Sequence, residues 1–137
     1  MGRPVTLEVQ VVSPERILWT GDAEMVICRT VDGGEIAFLT GHAPFVGALE
    51  IGRATIRPES GDDLLLAVHG GFVEVSNDHV SILSDVAEIA DAIDVSRAQE
   101  ARRRATEAVA ADGDDAEAAA ALRRAEVRLE VAGAPVA

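Results

Sequence analysis

The sequence predicts an α+β fold: an N-terminal antiparallel β-sandwich of about ten strands in residues 1–90, followed by an antiparallel two-helix hairpin in residues 91–137. Three observations carry that prediction. Apolar and polar residues alternate in short runs through the first ninety positions, turn-forming clusters fence those runs every 8 to 12 residues or so, and past Asp91 both features give way to alanine and charge.

Taken in order, Val5, Leu7, Val9 and Val11 share one face of a first strand while Thr6, Glu8 and Gln10 take the other. Strands follow around Arg16–Trp19, Ala23–Thr30, Glu35–Leu39, Arg53–Arg57, Leu64–His69, Phe72–Ser76 and His79–Leu83. Ser13–Pro14–Glu15, Asp32–Gly33–Gly34, Pro58 to Asp63 and Ser76–Asn77–Asp78 supply the turns. Cys28, the single cysteine, is expected as a small buried hydrophobe in a strand, and one cysteine excludes a disulfide framework.

Sixteen of the last 47 residues are alanine and none is aromatic, a helix-forming composition. Ser96 with Gln99, and Asp114 with Glu117, predict capping boxes. Asp112–Gly113–Asp114–Asp115 interrupts the helical pattern, and Gly133 and Pro135 end it. Ala98, Ala101, Ala105 and Ala108 form one seam, and Ala118, Leu122, Ala125, Leu129 and Ala132 the other. Pairing Ala98 with Leu129, Ala101 with Ala125, Ala105 with Leu122 and Ala108 with Ala118 centres the hairpin on Gly113–Asp114, where the turn signal lies. An alanine seam buries little apolar area, at about 25 cal/mol per Å², against roughly 1–2 kcal/mol of backbone entropy per ordered residue. The hairpin is therefore expected to be marginal, and a plausible two-state element.

The 137-residue chain carries a net charge of −12, and all twelve of its basic residues are arginine. Without lysine there is no P-loop lysine, Schiff base or Ser-Lys dyad. The acidic balance argues against nucleic acid and anionic membrane surfaces as partners. No apolar run approaches the ~18 residues of a membrane span, and no signal-peptide core follows Met1, so a soluble, cytoplasmic protein without direct membrane insertion is expected. His42, His69 and His79 have no metal-ligand spacing, so neither a metal site nor a catalytic site is predicted.

Seven of the arginines lie in the hairpin. Arg97, Arg104, Arg124 and Arg128 each immediately precede a seam residue, which directs them to one edge of the helix pair. Two readings stay open on spacing alone. One is a solvated face with pairs such as Glu100–Arg104 and Arg103–Glu107; the other is an anion site in which forked guanidiniums hold phosphate oxygens.

The segment Gly33-Gly34-Glu35-Ile36-Ala37-Phe38-Leu39-Thr40-Gly41-His42-Ala43-Pro44-Phe45 is similar to the Gly-Glu-x-Gly-x-x-Pro-Gly-His-Ala-Pro loop of the epsilon subunits of F-type ATP synthases. Gly70–Val75, Val80–Asp85 and Ala87–Glu88 resemble a second block of that family, while Ala37 and Thr40 stand where glycine and proline are common. The resemblance implies a ten-stranded sandwich and a helical hairpin in a non-catalytic rotor subunit of the central stalk, which couples proton flow to ATP synthesis. It implies the gamma subunit and the c-ring as partners, with the loop through Glu35 and the His42 turn approaching the c-ring. It also implies a hairpin that folds on the sandwich or extends towards the catalytic alpha/beta head to restrain ATP hydrolysis, and a peripheral position on the cytoplasmic face of the bacterial membrane. Ile93-Asp94-Val95-Ser96-Arg97-Ala98 resembles the Ile/Leu-Asp-x-x-Arg-Ala motif with which some bacterial members bind ATP, and the family pattern adds Glu88, Arg104, Arg124 and Arg128. On that resemblance no cofactor is required and regulatory ATP is a possible ligand, with Arg97, Arg104, Arg124 and Arg128 on phosphate or in local electrostatic contacts and Asp94 and Glu88 on adenine or on neighbouring side chains. A stand-alone nucleotide-sensing protein is the alternative.

Overall fold

A computed structural model describes residues 6–134; the expectations placed on Val5 and Pro135 lie outside that range. Ten strands form two five-stranded sheets: β1 (Leu7–Val12), β2 (Ile17–Ala23), β3 (Met25–Thr30), β4 (Gly34–Leu39), β5 (Phe45–Ala48), β6 (Ile51–Arg57), β7 (Leu64–His69), β8 (Phe72–Ser76), β9 (His79–Leu83) and β10 (Ala87–Ile89). The first sheet runs β2-β1-β9-β8-β5 and the second β10-β7-β6-β3-β4. Their inner faces interdigitate through Leu7, Val9, Val11, Val26, Phe38, Ile56, Leu66, Val73, Val80 and Ile82, each at most 2 % exposed. Cys28 sits in this core, and burial pushes its thiol up to about 12.

Two strands, β5 and β10, fall where no separate alternating run stands out. The first is four residues long with a glycine inside, and the second is three residues long with every residue half-buried. The sandwich is antiparallel except at one place, where β1 pairs with β9 in parallel, Val9 opposite Val80 and Val11 opposite Ile82. Strands far apart in the chain can pair in either direction, because no tight hairpin links β1 to β9.

After β10 a single 3₁₀ turn (Ala90–Ala92) leads into α1 (Val95–Ala111), and α2 (Ala116–Ala132) returns. The capping boxes expected at Ser96 and Asp114 are corrected. Asp94 caps α1, its carboxylate accepting from the Arg97 amide at 3.1 Å, and Asp115 caps α2, accepting from the Ala118 amide at 3.0 Å. In each case the acid in extended conformation just before the helix reaches the third helical amide, which puts Ser96 inside the first turn of α1. Gly133 ends α2 at φ 75°, the left-handed conformation glycine adopts without strain.

The seam is where the spacing puts it: Ala98, Ala105, Ala118, Ala125 and Leu129 are buried, and Ala101, Ala108, Leu122 and Ala132 are half-buried. Something else holds this hairpin, however. A second apolar row on α2, Val127 and Val131, packs against Ala67, Leu65 and Ile51 on the outer face of the second sheet and against Ile93 at the end of the 3₁₀ turn. Helix α2 therefore has two buried sides, and α1 is held chiefly through it.

Candidate functional site

Alternation along the last strand decides the first functional side chain. Ala87 and Ile89 of β10 point into the sandwich core, so Glu88 between them faces outward, opposite Ala67 of β7 in the ladder. That is the face α2 covers. Val86, Glu88, Ala92, Asp94, Arg97, Ala98, Ala101, Arg104 and Arg128 line a cleft of about 510 Å³ between this edge and the two helices, a volume within the range of small-ligand sites.

Arg97 and Arg104, two turns apart on α1, share a face and both enter the cleft from one side; Arg128 enters from α2. Three guanidiniums thus meet two carboxylates, and both acids are already engaged. Asp94 Oδ1 caps α1. Glu88 Oε1 accepts from Arg128 Nε at 2.6 Å and lies 3.0 Å from His69 Nε2. Burial pushes the Glu88 carboxyl up, but the bonds from Arg128 and His69 outweigh it and hold it below the ordinary carboxylate value. His69, whose side chain is 3 % exposed, is pushed down mainly by burial, with the Arg128 and Arg124 charges adding to that against the Glu88 bond.

Of the seven residues expected at a nucleotide site, Glu88, Asp94, Arg97, Arg104 and Arg128 line this one cleft. Arg124 and Ile93 are not among the lining residues. Arg124 turns along α2 to Glu117, Nη2 to Oε1 2.7 Å, so Arg124 and Arg128, like charges one helical turn apart, each have a carboxylate of their own. Ile93 packs beneath α2 in the cluster with Val127 and Val131. Of the two surface pairs expected on α1, Arg103–Glu107 forms at 2.8 Å, but Glu100 pairs with Arg103 rather than with Arg104, which faces the cleft. His69 is the residue that reading by spacing missed. Leu65, Ala67 and His69 share the outward face of β7, but nothing in the sequence says which outer face a helix covers.

Glu35 and His42 lie at opposite ends of β4 and are not gathered into one cluster. Glu35 stands across the ladder from Arg29. His42 is held in its loop, its ring edge-on to Phe38 at 4.9 Å and its Nδ1 2.7 Å from the Ala43 carbonyl, while the Gly41 amide donates to Asp78 Oδ1 at 2.7 Å. No group of three or more metal-ligating side chains occurs among the described residues, and no described helix is long and apolar enough to cross a membrane.

The outer face of the first sheet carries a different kind of surface. Ala48 pairs with Phe72, Phe72 with Leu83, Leu83 with Val12, and Val12 with Ile17. The result is an apolar row running across all five strands, with Phe72 and Ile17 each 55 % exposed and Leu83 38 % exposed. The row beside it, Glu74, Ser81, Gln10 and Thr20, is polar up to its β5 end, where Val46 stands opposite Glu74.

Residues 6–90 match the family model described as the beta-sandwich domain of the ATP synthase delta/epsilon chain, and residues 91–133 match the long alpha-helix domain of the same chain. The ATP synthase epsilon chain of Streptomyces griseus is 45 % identical over 123 residues, covering 90 % of this chain and 92 % of that protein. The epsilon chain of Shouchella clausii is 42 % identical over 128 residues, covering 93 % of this chain and 95 % of that protein. In fold, a chain of the Euglena gracilis mitochondrial ATP synthase cryo-EM structure (OSCP/F1/c-ring, rotational state 1) superposes with a TM-score of 0.70 at 22 % identity, covering 97 % of this chain and 81 % of that one. A sandwich and a hairpin in this order, each matched by its own model and each present in relatives over nearly their whole length, place the chain in the ATP synthase delta/epsilon family.

Proposed function

We propose that this chain is the epsilon-type, non-catalytic subunit of the central stalk of an F-type proton-translocating ATP synthase, peripheral on the cytoplasmic face of the membrane, and that its hairpin is a nucleotide-responsive regulator of ATP hydrolysis. The observation that carries the regulatory half is the cleft, because its walls come from the sandwich edge, α1 and α2 together. A ligand there needs all three. Arg97, Arg104 and Arg128 present forked donors for phosphate oxygens, Glu88 and Asp94 offer acceptors to the amino group of the base or to ribose hydroxyls, and Ala98 and Ala101 give the base a flat apolar contact. Arg124 joins them by leaving Glu117.

Binding to the compact form alone stabilises that form by about 2.7 kcal/mol when ATP is at a hundred times its Kd. ATP therefore opposes extension of the hairpin towards the alpha/beta head. The sandwich serves the other half of the role, with the apolar row on its first sheet as the face for the gamma subunit and the His42 end turned to the c-ring.

Calorimetric titration of the full chain with ATP tests the cleft. Arg97→Ala and Arg104→Ala each remove two-point contacts to phosphate and are expected to weaken binding at least tenfold. Absence of binding to the unaltered chain, or equal binding by all three proteins, overturns the site.

A further inference from the structure

His69 has no part in the reading above, yet it stands at the joint between sandwich and hairpin. It lies on the outward face of β7, two residues beyond the fully buried Ala67, with its side chain 3 % exposed. Its Nε2 is 3.0 Å from Glu88 Oε1. A carboxylate only accepts, so Nε2 carries the proton and Nδ1 is the bare nitrogen. That Nδ1 is buried and has no hydrogen-bond partner among the described residues. The same Glu88 oxygen accepts from Arg128 Nε at 2.6 Å. Strands β7 and β10 and helix α2 thus meet on one oxygen atom, and Glu88 Oε2 is the oxygen left for a ligand.

We propose that His69 is a positioning residue: in its neutral Nε2–H form it fixes the Glu88 carboxylate for Arg128 and so docks α2, and protonation at Nδ1 undocks the hairpin, making docking and nucleotide affinity fall in acid. The nucleotide half rests on the cleft reading above; the docking half does not.

The groups facing His69 are Glu88 from β10 and Arg128 and Arg124 from α2, while its cross-strand neighbour on β6, Ile51, is apolar. Arg97 and Arg104 of α1 line the same cleft as Glu88. Glu88 alone would favour an imidazolium. Against it stand two guanidiniums, the burial of the ring and an Nδ1–H that would find no acceptor, and the balance favours the neutral ring in the docked state. Lifting α2 returns the ring to water and towards its ordinary value of 6.5. A group whose docked value is depressed contributes stability that is complete above the undocked value and is lost as pH falls below it. Docking therefore weakens below pH 6.5, by up to about tenfold at pH 5.5, the limit for one proton taken up by the undocked state alone.

The test uses the full chain, with the Val127 and Val131 methyl resonances reporting docking and Trp19 fluorescence reporting an intact sandwich, from pH 7.5 to 5.5. In the unaltered chain the ratio of docked to undocked hairpin is expected to fall by up to about tenfold from pH 7.5 to 5.5 with Trp19 unchanged. His69→Gln keeps a donor for Glu88 but cannot take up a proton, so it is expected to stay docked at pH 7.5 and lose the acid response. His69→Leu is expected to undock at pH 7.5 already. An acid response retained in His69→Gln, normal docking in His69→Leu, or a His69 ring found protonated on Nδ1 at pH 7.5 overturns the proposal. ATP affinity is measured on the same samples as the difference between the unaltered chain and His69→Gln, because the terminal phosphate itself titrates in this range. If none of the proteins binds ATP while the methyl resonances follow the expected pattern, the cleft reading fails and the role of His69 stands. If ATP binds but the methyls ignore pH, the reverse holds.

Discussion

Asp94 has two duties within one carboxylate. Oδ1 takes the Arg97 amide and starts α1, while the residue also borders the cleft. Asp94→Asn retains an oxygen for the cap and removes the charge; Asp94→Ala removes both. The cap is worth about 1 kcal/mol, so Asp94→Ala is expected to lower hairpin stability by that amount, read from helical circular dichroism on heating, and Asp94→Asn by much less. A ligand role for Asp94 predicts that the two variants weaken ATP binding alike, since neither carries the charge. Glu88 shows why the residue pattern alone understated the site. An acid at a sandwich edge reads as an ordinary surface charge until the fold sets His69 on one side of it and Arg128 on the other.

At the scale of elements, α2 decides whether the hairpin is docked. Its alanine seam faces α1 while Val127 and Val131, on another side, reach Ala67 on the sheet. Truncating either valine deletes two methyl groups from a nearly dry contact, Val127 being 0 % and Val131 3 % exposed. Val131→Ala and Val127→Ala are each expected to cost about 1–3 kcal/mol of docking, measured as increased amide exchange in both helices with the sandwich amides unchanged. Equal loss of protection in sandwich and hairpin would mean that the two unfold as one unit. The sheet connections are less forgiving. Gly71 sits at φ 108°, and an added Cβ would meet the Leu83 carbonyl oxygen at 2.1 Å, so the turn joining β7 to β8 excludes side chains both by conformation and by contact.

For the whole molecule, the net charge of −12 conceals an uneven distribution. Three guanidiniums against two carboxylates leave the cleft locally cationic inside an acidic protein. The opposite side of the molecule carries an apolar row: from Ala48 through Phe72 and Leu83 to Ile17 it crosses the first sheet on the face away from the second sheet and its helices. Phe72→Glu places a charge in that row while leaving the sandwich core untouched. It is expected to abolish co-purification with gamma and the c-ring from membranes without changing the melting temperature of the isolated chain; assembly at the normal level would remove this face from the stalk contact.

The sequence by itself determined the local matters. Period-two alternation marked most strands, alanine at three-four spacing marked the seam, and the turn at Asp112–Asp115 set the hairpin register, because each depends on residues close together in the chain. It also grouped the arginines of one hairpin edge, which follow from the same helical arithmetic. Tertiary structure alone decided the parallel β1–β9 pairing, the second buried side of α2, the diversion of Arg124 to Glu117, and the meeting of His69, Glu88 and Arg128. The second buried side of α2 and the meeting of His69, Glu88 and Arg128 depend on which outer face of the sandwich the hairpin covers, and both faces offer exposed or half-buried apolar residues, so the periodicity that puts a side chain outward cannot say what it will meet there.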